Sequence, residues 1–432
     1  MNKQWLTLLR ILLNPQVTDV PRRVLKELRN RGIQRIPDAV YRGLVTGGSK
    51  QSAVAFIRNW LDGEVISRHR GQWVVNSFMP PFPGVAFNRM FENLLSGRHL
   101  SPVSAYLAVT SSCPYDCWHC SLHHRKKGHL PKESWLSAIR QLHNLGVSII
   151  GFTGGEPLLR KDLPELIAAA SQGGAATVVF SSGSLLDQAS AQELKQAGLW
   201  SLCVSLDHPS PGEFGRLRGA PDAYQHAVAS LELARASGFY TMMSTVATRP
   251  TIEQQLYLDL YRLAQQLGVH EYRLIEPMPC GKLTDAGQDL LLTPAHTHAL
   301  RDFHVTINRR RRLPKVCAFN QIESPEIFGC GAGTQHLFID SAGEVCPCDF
   351  TPLSFGNLEA APLSDIWRRM NLALGDNPRC RCFIQRYHSL ISRHAEQGFP
   401  LAPELSESIC AGTEKEPLPG YFALVNNQGS KR

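Results

Sequence analysis

Three cysteines, Cys113, Cys117 and Cys120, stand four and three residues apart, directly after an apolar run at Ala105–Thr110. Thiolates so spaced converge on one centre only if the loop carrying them curls around it. Iron–sulfur clusters are held by cysteine thiolates, and a cubane has four irons to ligate. Three cysteines leave one iron free, and an open coordination position marks a catalytic metal site rather than a structural one. The same spacing suits a zinc ion that recruits a fourth ligand such as His123, or three ordinary core cysteines. A second feature, Thr153-Gly154-Gly155-Glu156-Pro157, closes the next apolar run, and paired glycines let a backbone approach a bound ligand closely. Seven further cysteines follow Arg309: Cys317, Cys330, Cys346, Cys348, Cys380, Cys382 and Cys410. They suit one four-thiolate cluster better than two, with a zinc ribbon as the alternative.

Such loops need strand ends to hang from. Short apolar runs at Ala105–Thr110, Ser148–Phe152, Thr177–Phe180, Leu202–Ser205, Tyr240–Val246 and Glu271–Ile275 alternate with helical stretches at 132–145, 162–171, 188–197, 222–237 and 252–267. Repeated βα units predict an α/β fold with a parallel sheet and helices outside it. Six strands fit a partial (β/α) barrel or an open doubly wound sheet, and periodicity does not separate the two. In either, the active site belongs at the C-terminal strand ends, where Gly154 and Gly155, Ser181–Gly183 and Asp207 fall. Residues 336–348 read as a β-hairpin turning at Ser341-Ala342-Gly343.

Ahead of this series the chain reads as helical: an apolar helix at Trp5–Leu13, a basic one opened by Pro21, and another at Ala53–Trp60. Gln72–Ser77 has strand character, and the proline-rich stretch 79–87 reads as a linker or wrapped arm. The organisation that results is a basic, mainly helical region at 1–98, a catalytic domain at 99–308, a small Cys-rich α+β extension at 309–405 and a polar tail at 406–432.

Composition narrows the classes. With 43% hydrophobic and 19% charged residues over 432, disorder is excluded for most of the chain. No apolar run reaches the ~18–20 residues of a membrane span, and the N-terminus lacks a small-residue cleavage site. The twelve cysteines therefore belong to a reducing cytoplasm, as metal ligands rather than disulfides. Residues 1–100 hold 15 Lys+Arg against 6 Asp+Glu, leaving 30 and 31 for the rest, so the net +8 sits in the N-terminal quarter. That asymmetry fits an acidic partner or simply a solvated basic face.

Over roughly residues 101–280 the sequence resembles the radical S-adenosylmethionine (SAM) enzymes. The matches are the CxxxCxxC loop after the first strand and the GGEP loop after the second. The resemblance implies a partial (β/α)6 barrel in which Cys113, Cys117 and Cys120 hold a [4Fe–4S] cluster that binds SAM. It further implies that His119 stands where the family has an aromatic residue near the adenine. Gly154, Gly155, Glu156 and Pro157 would bind the SAM amino group, serving SAM rather than the cluster. Ser182 replaces the family's asparagine near the ribose, Ser205 opens the Ser-Leu-Asp signature, and Arg216 or Arg218 is suited to the SAM carboxylate. Glu276–Gly281 would line the pocket, with Cys280 either a substrate-facing thiol or a small buried residue.

From about residue 317 the chain resembles the SPASM/twitch extension. That likeness implies one auxiliary [4Fe–4S] cluster on Cys330, Cys348, Cys380 and Cys382, with Cys346, Cys317 and Cys410 as alternates. The terminal cysteine series is shorter than in a full SPASM domain. The activity implied is reductive cleavage of SAM to a 5′-deoxyadenosyl radical, which takes hydrogen from a peptide or protein, or from a lipid-like substrate. The reductant would be a flavodoxin or ferredoxin, and no specific nucleic acid is expected. Residues 1–36, apolar then basic, suit peripheral contact with an anionic membrane, placing a cytoplasmic protein at its inner face. The rival is a non-catalytic iron–sulfur electron carrier or zinc-binding regulatory protein, against which the GGEP loop and the βα domain argue.

Overall fold

The computed structural model describes Pro15 and residues 53–95, 101–284 and 289–426. The two helices expected before residue 36, and with them the membrane contact, lie outside the described residues. From residue 53 the described residues form α1 (Ala53–Asp62), the short antiparallel pair β1 (Ser67–His69) and β2 (Gln72–Val74), and α2 (Val85–Leu95). The βα series runs β3 (Ser104–Thr110), α3 (Lys132–Leu145), β4 (Ile149–Gly154), α4 (Leu163–Gln172), β5 (Ala176–Ser181), α5 (Gln188–Gln196) and β6 (Ser201–Ser205). It continues through α6 (Pro211–Arg218), α7 (Ala223–Ala236), β7 (Tyr240–Val246), α8 (Arg249–Glu253), α9 (Leu256–Gln266), β8 (Glu271–Ile275) and α10 (Pro294–Asn308). Then come β9 (Lys315–Ala318), α11 (Phe319–Ile322), β10 (His336–Ile339), β11 (Val345–Cys346), α12 (Leu363–Leu374), α13 (Phe383–Ser392), α14 (Pro403–Ala411) and α15 (Gly420–Asn426).

β3 to β8 lie side by side in chain order, each parallel to the next. That winding is the barrel's; a doubly wound sheet would reverse its strand order partway. The helices cover one face. On α3, Trp135, Ala138, Ile139 and Leu142 recur at helical spacing and are buried against Leu107, Val109, Ile150 and Phe152 of the strands. Alternate strand residues point inward: Tyr106, Val178, Cys203, Met242 and Arg273 lie between the outward-facing ones. The expected helix at 252–267 is broken in two, because Gln255 takes a left-handed conformation (φ 55°) between α8 and α9.

Two strands from the Cys-rich region complete the sheet. β9 pairs parallel with β8, and β10 pairs parallel with β3, with β11 returning antiparallel as the predicted hairpin. The stretch Gln72–Ser77, read as strand-like, has a definite role. Val74 packs with Ile149, Val178, Tyr240 and Met242, so this stretch plugs the barrel at the N-terminal ends of its strands. Lys315 fixes it there by donating to the carbonyls of Val74 and Val75, each at 2.8 Å. Residues 403–426, expected largely as polar tail, form two helices instead. Their apolar Ile409, Cys410 and Phe422 are buried, and Tyr421 N–H bonds to the Ile327 carbonyl at 2.9 Å. Among the described residues no helix is long and apolar enough to cross a membrane.

Candidate active site

The cysteine loop leaves the end of β3 and is laced to three neighbours. Asp116 and Trp118 donate their N–H groups to the carbonyls of Arg218 and Leu217, each at 3.1 Å, which are among the last carbonyls of α6 and lack partners within the helix. Lys282 pairs with Asp116 and its N–H bonds to the Cys120 carbonyl at 3.0 Å. Gly281 makes that approach possible: at φ 55°, a Cβ there would lie 2.1 Å from the Cys120 oxygen. Cys113 is exposed and Cys117 and Cys120 half-buried, all three on the wall of one cavity of about 1890 Å³. Loss of solvation pushes Cys113 up to about 11 and raises Cys120 as well.

Arg218 meets the loop from the end of α6. It is buried, donates to Cys117 Sγ at 3.2 Å and pairs with Asp207, which in turn accepts the Val246 N–H at 2.9 Å. Burial works against its charge, but Asp207 and the Cys117 sulfur outweigh burial and keep it protonated. The guanidinium thus holds the Cys117 sulfur at the cavity wall. Of the two arginines weighed from the sequence, Arg218 faces the cavity, whereas Arg216 pairs with Glu213 on the surface.

Only part of the GGEP loop faces the cavity. Thr153, Gly154 and Gly155 line the cavity, but Glu156 and Pro157 do not; both are turned into the protein. Glu156 is fully buried and accepts from Leu158 N–H (3.1 Å), Ser181 Oγ (2.9 Å), Ser182 N–H (2.8 Å) and Ser182 Oγ (2.6 Å). It is a strut joining the ends of β4 and β5. Burial raises its pKa and those four donors oppose the rise. The glycines also answer first to packing. Gly154 sits at φ 125°, where a Cβ would meet the Thr110 oxygen at 2.3 Å; at Gly155 it would meet the Ser112 oxygen at 2.0 Å. The loop therefore presses on the residues immediately before Cys113, and serves the cysteine loop as well as any ligand. Ser182 and Ser205 line the cavity. So does His119, whose Nδ1 is buried without a partner and whose pKa burial lowers to about 4.

Of the Cys-rich region, Cys330, Cys348 and Cys382 reach the same cavity. The Cys382 thiol bonds to Cys330, which drops to about 7 while Cys382 rises. Cys380, expected as the fourth ligand, does not line the cavity: its thiol donates to the Pro417 carbonyl at 3.0 Å. The alternates are elsewhere too. Cys346 packs with Ala108 and Phe338 and accepts from Arg125 at 3.2 Å, Cys410 is buried on α14, and Cys317 is buried on β9 near Glu271. Cys280 is a buried residue on the cavity wall, its thiol raised to about 12 by burial.

Two cavity arginines escaped the sequence reading. Arg125 follows the cysteine motif and ties it to the hairpin through Cys346 and the Asp349 carbonyl. Arg273 lies on β8, where the signal was present in principle: Glu271 and Arg273 alternate with Tyr272 and Leu274, so two charged residues share one face of a buried strand.

Cys113, Cys117 and Cys120 on the wall of one cavity, with Arg218 against one sulfur, are the donor set of an iron–sulfur cluster with one open iron.

Comparison with known proteins agrees. The radical SAM superfamily model matches residues 107–260, and the SPASM model, an iron–sulfur cluster-binding domain, matches 330–387. An AdoMet-dependent heme synthase of Nitratidesulfovibrio vulgaris is 26% identical over 297 residues, covering 62% of this chain and 80% of that protein. A PqqA peptide cyclase of Gluconobacter oxydans is 26% identical over 277 residues, covering 62% and 76%. The structure of anSMEcpe with bound AdoMet superposes with a TM-score of 0.53 at 17% identity, covering 76% of this chain and all of that one. The radical SAM cluster and SAM thus belong to the catalytic half, and auxiliary iron–sulfur clusters to the SPASM half. With its cysteine loop at the barrel mouth and its second cysteine group facing it, the chain belongs to the radical SAM superfamily, as an enzyme carrying a C-terminal SPASM domain.

Proposed function

We propose that Cys113, Cys117 and Cys120 hold the catalytic cluster, that Cys330, Cys348 and Cys382 hold one auxiliary cluster, and that the substrate is a peptide or protein segment. When bound, the catalytic cluster and SAM supply the reductive cleavage that yields a hydrogen-abstracting 5′-deoxyadenosyl radical. The observation that carries the proposal is the single cavity on which both cysteine groups open. At about 1890 Å³ it exceeds the ~300–1,000 Å³ of ordinary small-molecule sites, leaving room for a substrate beside a nucleoside cofactor.

The chain's own share is positioning. Arg218 donates to the Cys117 sulfur, and Asp207 holds Arg218 to the strand ends. Thr153, Gly154, Gly155, Ser182 and Ser205 offer polar groups along the rim, and His119, kept neutral by burial, offers a ring nitrogen. Phe56, Trp60, Phe328 and Tyr421 wall one side with aromatic surface, their rings packed edge to face and tilted, which excludes water. A peptide cyclase among the relatives supports the peptide reading. The lipid-like alternative rests on residues 1–36. A flavodoxin or ferredoxin would supply the electron.

Anaerobically reconstituted protein should hold about eight irons as two cubanes and release 5′-deoxyadenosine from SAM on reduction. Replacing Cys113, Cys117 and Cys120 together with alanine should remove about four irons and all 5′-deoxyadenosine. SAM cleavage that survives the triple replacement, or stoichiometric zinc without labile sulfide in anaerobic protein, would overturn the proposal.

A further inference from the structure

Arg273 stands inside the barrel at the middle of β8, 2% exposed, and lines the cavity from beneath. A guanidinium has five N–H donors, and this one satisfies few of them. Nη1 reaches Cys203 Sγ, a weak acceptor, at 3.9 Å, and Nε is buried with no partner. The guanidinium also bonds to the Tyr106 hydroxyl, a neutral partner, and its remaining close neighbours are rings: Cζ lies 4.7 Å from the centroid of Phe319, 5.1 Å from Phe180 and 6.0 Å from Phe78.

The negative charge nearby is engaged elsewhere. Glu271, two residues back on β8, accepts from Ser77 N–H at 3.3 Å and from the Tyr240 hydroxyl at 3.0 Å, and it sits opposite Lys315 in the β8–β9 register. Glu64 accepts from Asn76 at 3.1 Å and faces His304 at 3.5 Å. Among the described residues no carboxylate forms an ion pair with Arg273. Burying a cation without its counter-ion is costly, and ring faces offset only part of that cost. A bound anion would offset more, with the fork geometry that guanidinium and carboxylate share.

We infer that Arg273 is the anion-binding end of the substrate site, taking a carboxylate borne on an aromatic or other apolar body. The inference rests on the cavity being where substrate binds. Strands rise ~3.3 Å per residue, so Arg273 lies about 7 Å below Ile275 at the strand's end. A carboxylate held there leaves its apolar body among Phe180, Phe319 and Phe78 and directs the far end towards the cysteine loop. The depth also separates this arginine from Arg218, which meets the cysteine loop at the rim.

The test uses the reconstituted full-length holoenzyme and two pairs of probes, each an acid and its neutral amide. One pair is 4-phenylbutanoate and 4-phenylbutanamide; the other is a blocked Phe-Glu dipeptide, whose only carboxylate is its side chain, and its Phe-Gln counterpart. Binding is read by saturation-transfer NMR titration. At least one acid should bind tenfold or more tighter than its amide. A preference confined to the dipeptide assigns the carboxylate to a peptide side chain, and one confined to phenylbutanoate assigns it to a small organic acid. Arg273→Met should abolish the preference and Arg273→Lys retain part of it. Iron content should stay at the wild-type value in Arg273→Lys. Equal binding of acid and amide by the wild-type protein overturns the inference even if Arg273→Met does not fold, as does an unchanged preference in a folded Arg273→Met. Loss of SAM cleavage in the wild-type protein would instead strike the proposed function, leaving the carboxylate preference measurable.

Discussion

Gly155→Ala puts the packing account of the GGEP loop at risk. The added methyl would lie 2.0 Å from the Ser112 carbonyl oxygen, whereas ordinary contact begins near 3.4 Å, so the two backbones must part by about 1.4 Å. Gly155 N–H to Thr110 O and Glu156 N–H to Ser112 O, both 2.8 Å, tie those backbones together and would stretch or break. Overpacking costs about 1–3 kcal/mol and each lost hydrogen bond about 1 kcal/mol, for a local cost of about 3–5 kcal/mol. Since Ser112 immediately precedes Cys113, the displacement falls on a cluster ligand. The expected result is joint loss: most of the catalytic cluster's iron and sulfide in the anaerobically reconstituted protein, together with SAM binding. Iron and sulfide per chain and SAM titration measure both in one preparation. Wild-type iron with SAM affinity alone reduced tenfold would refute the packing argument and return the loop to a purely ligand-facing role.

Arg218→Met should strip Asp207 of its partner in a buried setting, a loss of about 3–5 kcal/mol, seen as a lower melting temperature and a depleted catalytic cluster, with Arg218→Lys restoring part of both. Cys382→Ser should remove the auxiliary cluster's iron and Cys380→Ser should not, because only Cys382 opens on the cavity; iron analysis of the two variants decides it. Burial, assisted by Arg235, holds His270 down to about 3. A folded-state pKa below the unfolded value means the unfolded chain takes the proton first, so the stability is present above about 6.5 and lost as pH falls from there towards 3. His270→Gln should flatten that acid limb in denaturant titrations between pH 7 and 4.

The six central strands were legible because parallel strands covered on both sides read as apolar runs. Tyr240–Val246 and Glu271–Ile275 match the sequence boundaries residue for residue. The cysteine motif was legible because ligand spacing is local. Nonlocal partnerships were not. Nothing in Lys315–Ala318 or His336–Ile339 shows that these short runs flank β8 and β3, since a strand's partner is set by the whole sheet. Gln72–Ser77 has strand character in the sequence, yet nothing there shows that Val74 plugs the barrel. Cys380 and Cys382 look equivalent in sequence. The two-residue step between them, at the start of α13, turns one thiol towards Pro417 and the other towards the cavity.

The pairing of β10 with β3 also bears on how the enzyme is made. Ser104 and His336 meet through Ser104 Oγ and His336 Nδ1 at 2.8 Å, although 232 residues separate them. A ribosome must therefore deliver the chain past residue 339 before the strand that launches the cysteine loop gains its second neighbour. Until then β3 shows a bare edge, the kind of surface through which nascent chains associate wrongly. Contacts this distant in sequence form slowly. Metal loading that waits for release of the whole polypeptide would meet a finished cradle, whereas loading during synthesis would meet a loop hung from half a sheet.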